Sequence, residues 1–253
     1  MSDAVTQMQQ TIGVRAAEDI SEFGQCVELQ QAIWGYSTLN VVPDQMFIVA
    51  KKTGGHALLA FDREKPVGFA LAFVGRRDGR SYLHSHMVSV LEKYRDRGVG
   101  RLLKLAQRKD ALARGFELIE WTFDPLQLKN AKFNITRLGA VVRHYIPNLY
   151  GRTTSPLHGG LPTDRLVAEW WVRSSRAENA VKDLPQLTIG GSVERISVPA
   201  DIRTLCETQP EMAAKIQSYA RVRFERLIAE GYAATGFDLN KTEGTYLLEP
   251  YED

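Results

Sequence analysis

Ser81-Tyr82-Leu83-His84-Ser85-His86-Met87-Val88-Ser89-Val90 alternates as a strand does, and Tyr94-Arg95-Asp96-Arg97-Gly98-Val99-Gly100-Arg101 follows it as a glycine-bearing turn into an amphipathic run that stops at Gly115. Strand, turn and helix start succeed one another without a gap. Consecutive backbone N–H groups at such a turn, continued by the positive end of a helix dipole, make a cradle for phosphate oxygens. The stretch therefore predicts an anion site at residues 95–101.

Upstream, Thr11-Ile12-Gly13-Val14-Arg15 reads as a short strand. Asp19 can cap a helix carrying Ile20, Phe23 and Val27 and ending near Gly35, and Pro43 with Asp44 opens a second, with Phe47 and Ala50 inward. His56–Phe61 and Val67–Val74 are strand runs joined by links of hairpin length, so the segment Ser81–Val90 is the third strand of an antiparallel meander. In the helix after Gly100, Val99, Leu102, Leu103, Ala106 and Ala113 keep one apolar face while Lys104, Arg108, Lys109 and Arg114 stay polar. Glu117–Phe123 returns as a strand after a crossover helix, which implies parallel pairing with the strand before it.

Leu126 to Leu138 reads as a helix closed by Gly139, and Val141–Ile146 and Leu166–Val172 as strands separated by the long polar loop 150–160. Beyond it, Glu194–Val198 is a strand, and Thr208 with Glu211 makes a capping box for a helix buried along Ala213, Ile216, Ala220, Phe224 and Leu227. A hairpin around Asn240–Gly244 closes the chain. The expected organisation is a flexible 1–10, a main α/β domain over 11–173, a charged linker at 174–192 and a small β-α-β-β subdomain over 193–253 that packs on the main domain or on a partner subunit.

Composition excludes several classes. The 253 residues carry 32 basic and 30 acidic side chains, a net charge of +2, so no global excess holds nucleic acid or a membrane surface. Cys26 and Cys206 are far apart and belong to no metal-ligand spacing, which fits a reducing, cytoplasmic compartment and no metal. The polar first ten residues lack the apolar core of a leader, and no run reaches the length of a membrane span.

The pattern Val90-x-x-x-Tyr94-Arg95-x-x-Gly98-x-Gly100, with strands ahead and strand-helix-strand behind, resembles the GNAT superfamily of acyl-CoA-dependent N-acyltransferases over residues 11 to about 173. It is most similar to a little-characterised bacterial branch sharing Phe123-Asp124-Pro125-Leu126-Gln127, Asn130-Ala131, Arg137-Leu138-Gly139-Ala140 and Tyr145-Ile146-Pro147-Asn148-Leu149-Tyr150-Gly151. The resemblance implies a central mixed, splayed sheet flanked by helices. It also implies that the backbone of Arg95, Asp96, Arg97, Gly98, Val99, Gly100 and Arg101 holds the coenzyme A pyrophosphate, with the glycines sparing a Cβ, while main-chain groups of Val88, Ser89 and Val90 pair with the pantetheine arm. Asn130 would reach the pantetheine amides. Lys93, Arg95, Arg97, Arg101 and Lys104 outnumber Glu92 and Asp96, which suits an anionic cofactor.

Acyl transfer to an amine needs a proton acceptor. His84 and His86, two apart on one strand, share a face with Tyr82 and Val88 and have a suitable unperturbed pKa. Histidines hydrogen-bonded inside a sheet are the alternative. Glu120 is a second carboxylate candidate. Many members of the family place a tyrosine four residues before the helix-ending glycine as general acid, but here that position is Ile135, leaving Tyr145 and Tyr150 as substitutes. The reading is an enzyme moving an acyl group, acetyl first, from acyl-CoA to a primary amine of a small molecule or amino acid by direct attack in a ternary complex. The alternative of another class is a catalytically silent acyl-CoA-binding or regulatory module. No nucleic acid or membrane partner is expected, and a homodimer is one assembly the small C-terminal segment allows.

Overall fold

The computed structural model of the chain describes residues 12–35, 40–151, 160–186 and 192–252. The flexible 1–10 of the sequence reading, and residues 152–159 of the loop after Tyr150, lie outside the described residues. By contacts the chain divides into two compact units, residues 1–119 and 120–253.

The first unit runs β1 (Ile12–Ala16), α1 (Ile20–Trp34), α2 (Asp44–Lys52), β2 (His56–Asp62), β3 (Lys65–Arg77), β4 (Arg80–Val90), a 3-10 turn (Glu92–Tyr94) and α3 (Val99–Ala113). Its strands form the expected antiparallel meander in the order β1-β2-β3-β4. The β3–β4 connection is the two-residue Asp78-Gly79 turn, both at positive φ (51° and 78°), the pairing of signs that matches strand twist. The Asp19 carboxylate accepts from Glu22 N–H at 3.0 Å and Gly35 closes α1 in the left-handed region (φ 64°), so both ends of α1 are fixed by the residues the sequence offers for them.

Alternation along β2 divides the core of this unit. Ala57 and Leu59 pack with Phe23, Cys26 and Leu29 of α1 and Phe47 and Ala50 of α2, while Leu58 and Ala60 pack with Tyr94, Val99 and Leu103 on the α3 side. Phe47 is fully buried, worth ~1.5–3 kcal/mol for such a side chain. The inward face of α3 is Val99, Leu103, Lys104, Gln107 and Ala111, whereas Ala113 is exposed. Periodicity of apolar residues misplaced this face because two of its members, Lys104 and Gln107, are polar.

β5 (Leu118–Phe123) enters the second unit from Glu120, and there follow α4 (Leu128–Ala131) continued by a π-helical turn (Lys132–Arg137), β6 (Val141–Ile146), β7 (Arg165–Trp171), α5 (Ser175–Val181), β8 (Glu194–Pro199), α6 (Ile202–Thr208), α7 (Pro210–Ala229), β9 (Tyr232–Leu239) and β10 (Glu243–Pro250). The strand order is β5-β7-β6-β9-β10-β8. Sheets flanked by helices in both units give the α/β class read from the sequence.

Three expectations change here. Ser174, expected in a linker, caps α5 by accepting from Ala177 N–H. The C-terminal strands do not stand apart, because β9 pairs with β6 at Val142 and Ala234, within the same unit as residues 120–173. Thr208 caps nothing: it is the last residue of α6, its hydroxyl donates to Thr204 O, and Pro210 opens α7 instead. On α7 the buried stripe is Ala213, Gln217, Ala220, Phe224 and Leu227, with Gln217 turned inward because Nε2 donates to Pro162 O at 2.9 Å, and Ile216 is only half-buried.

Candidate active site

The turn after β4 is built from two left-handed residues, Asp96 (φ 57°) and Gly98 (φ 84°), the second being the N-cap of α3. The first intrahelical bond of α3 runs from Leu102 N–H to Gly98 O, so the amides of Val99, Gly100 and Arg101 precede the ladder and aim out of the positive end of the helix. A Cβ added at Gly100 would find its nearest neighbour, Val90 Cγ2, at 4.0 Å, so the space above that residue is empty of protein. Arg95, Asp96 and Arg97 are exposed around it, and Arg95 Nε donates to Val90 O at 3.2 Å. The buried Tyr94 hydroxyl donates to Asp62 at 2.8 Å and pins the 3-10 turn to the end of β2; that bond raises the phenol pKa.

Lys104 leaves the cationic set assigned to this turn. It is buried on α3 and its Nζ donates to Ser85 Oγ at 2.9 Å, and burial pushes its pKa well below the ordinary lysine range.

β4 carries a bulge. Leu71 faces Met87 while the next residue of β3, Ala72, faces Ser85, so His86 is the extra residue. His84 and His86 stay together, ring centroids 6.2 Å apart, and His86 meets Phe73 edge-on at 5.7 Å. The expectation that Val88 shares their face is corrected: Val88 and Val90 pack on the α3 side, whereas Phe73 and Met87 pack on the α1 and α2 side. One inserted residue reverses every later side chain of the strand. His86 is open to solvent yet surrounded by enough protein that desolvation, aided by repulsion from His84, lowers its pKa. The backbone of Val88, Ser89 and Val90 is paired on the β3 side with Ala70, Phe69 and Gly68.

The other candidate residues lie in the second unit. Glu120 is buried in β5 and Asn130 is exposed on α4. The Tyr145 hydroxyl donates to Asp164 Oδ2 at 2.5 Å, and Arg221 binds the same carboxylate through Nε (2.9 Å) and a terminal nitrogen (2.7 Å). Burial first, then the bond to Asp164, raises the Tyr145 pKa. Its proton lies in a hydrogen bond to a carboxylate that Arg221 also holds. Tyr150 is 57% exposed and its hydroxyl lies 3.2 Å from Thr122 Oγ1. Ile135, at the family's usual acid position, is fully buried. Sequence reasoning missed Asp164 and Arg221, which lie 57 residues apart in the chain and belong to no local pattern.

The turn after β4 thus sets a left-handed glycine and amides outside the helical ladder at the start of α3. Residues 24–139, under half of the chain, match the model of the Acetyltransferase (GNAT) family, so this stretch is similar to a GNAT acetyltransferase domain. Solved structures of similar fold include the ribosomal-protein-S18-alanine N-acetyltransferase of Escherichia coli (14% identity, 65% of this chain and 96% of that one, TM-score 0.53). Arabidopsis thaliana NAA60, solved with a bisubstrate analogue, gives 16%, 64%, 98% and 0.52 in the same order, and YncA of Salmonella typhimurium, a putative acetyltransferase solved with acetyl-CoA, gives 17%, 65%, 96% and 0.51. No curated protein matches the sequence. Among the described residues no helix is long and apolar enough to cross a membrane.

Proposed function

We propose that the protein moves an acetyl group from acetyl-CoA to a primary amine of a small molecule or amino acid, by direct attack of the amine within a ternary complex. The observation that carries this reading is the pair of histidine rings on β4, centroids 6.2 Å apart, a few residues before the turn that opens α3. Acetyl-CoA supplies an activated thioester carbonyl; the turn amides from Arg95 to Arg101 would bind its diphosphate. The space over Gly100 is where such a group fits without displacing protein.

His84 and His86 accept the proton that an ammonium must lose before its nitrogen can attack. A lowered pKa keeps His86 neutral, and able to accept, at neutral pH.

The test is free-thiol release from acetyl-CoA across a panel of small amines and amino acids, alongside calorimetry with coenzyme A. Turnover on at least one amine, lost by tenfold or more in His84→Ala or His86→Ala, supports the reading. Tight coenzyme A binding with no turnover on any amine overturns it in favour of a silent binding module.

A further inference from the structure

A buried chain of polar side chains connects α3 to β4 and has no place in the chemistry above. Lys104 Nζ donates to Ser85 Oγ (2.9 Å), Ser85 Oγ donates to Gln107 Oε1 (2.9 Å), Gln107 Nε2 meets His56 Nε2 (3.0 Å), and His56 Nδ1 meets Asp110 Oδ2 (2.7 Å). Arg114 closes the chain on the same Asp110 oxygen at 2.5 Å. The direction is determined throughout. An amide oxygen only accepts, so Ser85 gives its proton to Gln107 and takes one from Lys104. An amide nitrogen only donates, so His56 Nε2 accepts and its Nδ1–H points at the carboxylate. Burial works against charge on Asp110, but His56 and Arg114 outweigh it and lower its pKa.

This chain is a poor device for stability. Lys104, Ser85, Gln107 and His56 are at most 7% exposed, and removing an amine or an imidazole from water costs more than packing a hydrocarbon of the same size in its place. Its position suggests another use. Ser85 is the last residue of β4 in register before the bulge, and its two chain neighbours are His84 and His86. Lys104 and Gln107, three apart on one face of α3, grip its hydroxyl from both sides, and the same helix begins at the Gly98 turn. A slip of one residue at Ser85 would carry the histidines to the other face of the sheet.

We propose that Lys104, Ser85, Gln107, His56 and Asp110 form a positioning device that fixes the bulge of β4 to the helix of the anion turn, so that Lys104 and Ser85 are positioning residues for acetyl transfer. The proposal rests on the reading that β4 carries the reacting groups. The chain makes one body of two things the reaction needs in constant register: the amides at the start of α3 and the histidines on either side of Ser85.

The decisive variant is Lys104→Met, which keeps an unbranched stem and removes the amine. A structural role would lower the melting temperature and activity together. A positioning role predicts a melting temperature unchanged or raised, kcat lowered tenfold or more, KM for acetyl-CoA within twofold of the parent, and faster amide hydrogen exchange confined to residues 83–88. Ser85→Ala should show the same kcat loss and the same exchange pattern with a lower melting temperature, since it strands both Lys104 and Gln107. Unchanged exchange over 83–88 in Lys104→Met overturns the proposal, and so does faster exchange with unchanged kcat. If the parent protein turns over no amine, the reading of the function fails by itself, and exchange alone still decides whether this chain fixes the bulge.

Discussion

Tyr145 and Asp164 are joined by a 2.5 Å hydrogen bond, hydroxyl to carboxylate, and Arg221 holds the other side of the same carboxylate. Asp164 is fully buried, while Arg221 reaches it from α7 and Tyr145 from β6, whose ring also stacks on Phe224 at 5.7 Å. Three separated segments of the second unit therefore meet on one charge. Tyr145→Phe should cost about 1.5–3 kcal/mol of stability, the scale for a hydrogen bond to a charged group, with kcat within twofold of the parent. Arg221→Met should cost about 3–5 kcal/mol because it removes the cation that is ion-paired with the buried carboxylate. Thermal unfolding and steady-state rates check both. A hundredfold fall in kcat for Tyr145→Phe with an unchanged melting temperature would instead make Tyr145 the proton donor.

Gly98 and Gly100 separate conformation from space. Gly98 has φ 84°, so any side chain there is strained and Gly98→Val should lose both stability and coenzyme A binding. Gly100 is an early residue of α3 with open space where a Cβ would go. Gly100→Val should leave the melting temperature within a degree or two and abolish coenzyme A binding by calorimetry. Binding at parental affinity in Gly100→Val would remove the diphosphate from this cradle.

The first unit was largely legible because its signals are local. Asp19, Gly35, Asp78-Gly79 and Gly98 each mark an element end through their own backbone preferences, and Phe47, Ala50, Leu59 and Leu103 follow the period of their elements. What escaped is where polar groups turn inward. Lys104 and Gln107 sit on the buried face of α3 only because Ser85 and His56 meet them there, a match no period contains. The bulge at His86 was invisible for a related reason: alternation reads the same through it, and only the pairing with Ala72 and Leu71 shows the skipped residue. In the second unit, the ion pair of Asp164 and Arg221 and the pairing of β9 with β6 are long-range, so the C-terminal strands read as a separate subdomain.

Glu169 gives a stability prediction with a definite sign. Its carboxylate is 1% exposed, takes Arg143 at 2.6 Å and lies 3.2 Å from His144 Nε2. Burial opposes its charge, but His144 and Arg143 prevail and hold its pKa below the usual 4.5. The folded value is the lower one, so the stabilisation is fully present above the unfolded value and is lost as pH falls through the folded one. Glu169→Gln should be less stable than the parent at pH 7, and the gap in melting temperature should narrow below about pH 4.5. A gap that stays constant from pH 7 to pH 3 would mean that the pairing does not govern this carboxylate.

His86 gives the matching prediction for activity. Desolvation and repulsion from His84 lower its pKa from the usual 6.5, and only the neutral ring accepts a proton. The rising limb of kcat/KM against pH should therefore have its midpoint below 6.5, wherever the amine's own ionisation does not obscure it. His84→Ala removes the repulsion, so the limb should move toward higher pH even as the rate falls. Stability follows the same shift. Between the lowered folded value and 6.5 the unfolded chain binds more protons, so the fold loses stability as pH drops through that window, and His86→Ala should abolish that part of the loss. A rising limb at the same pH in parent, His84→Ala and His86→Ala would exclude both rings as the proton acceptor.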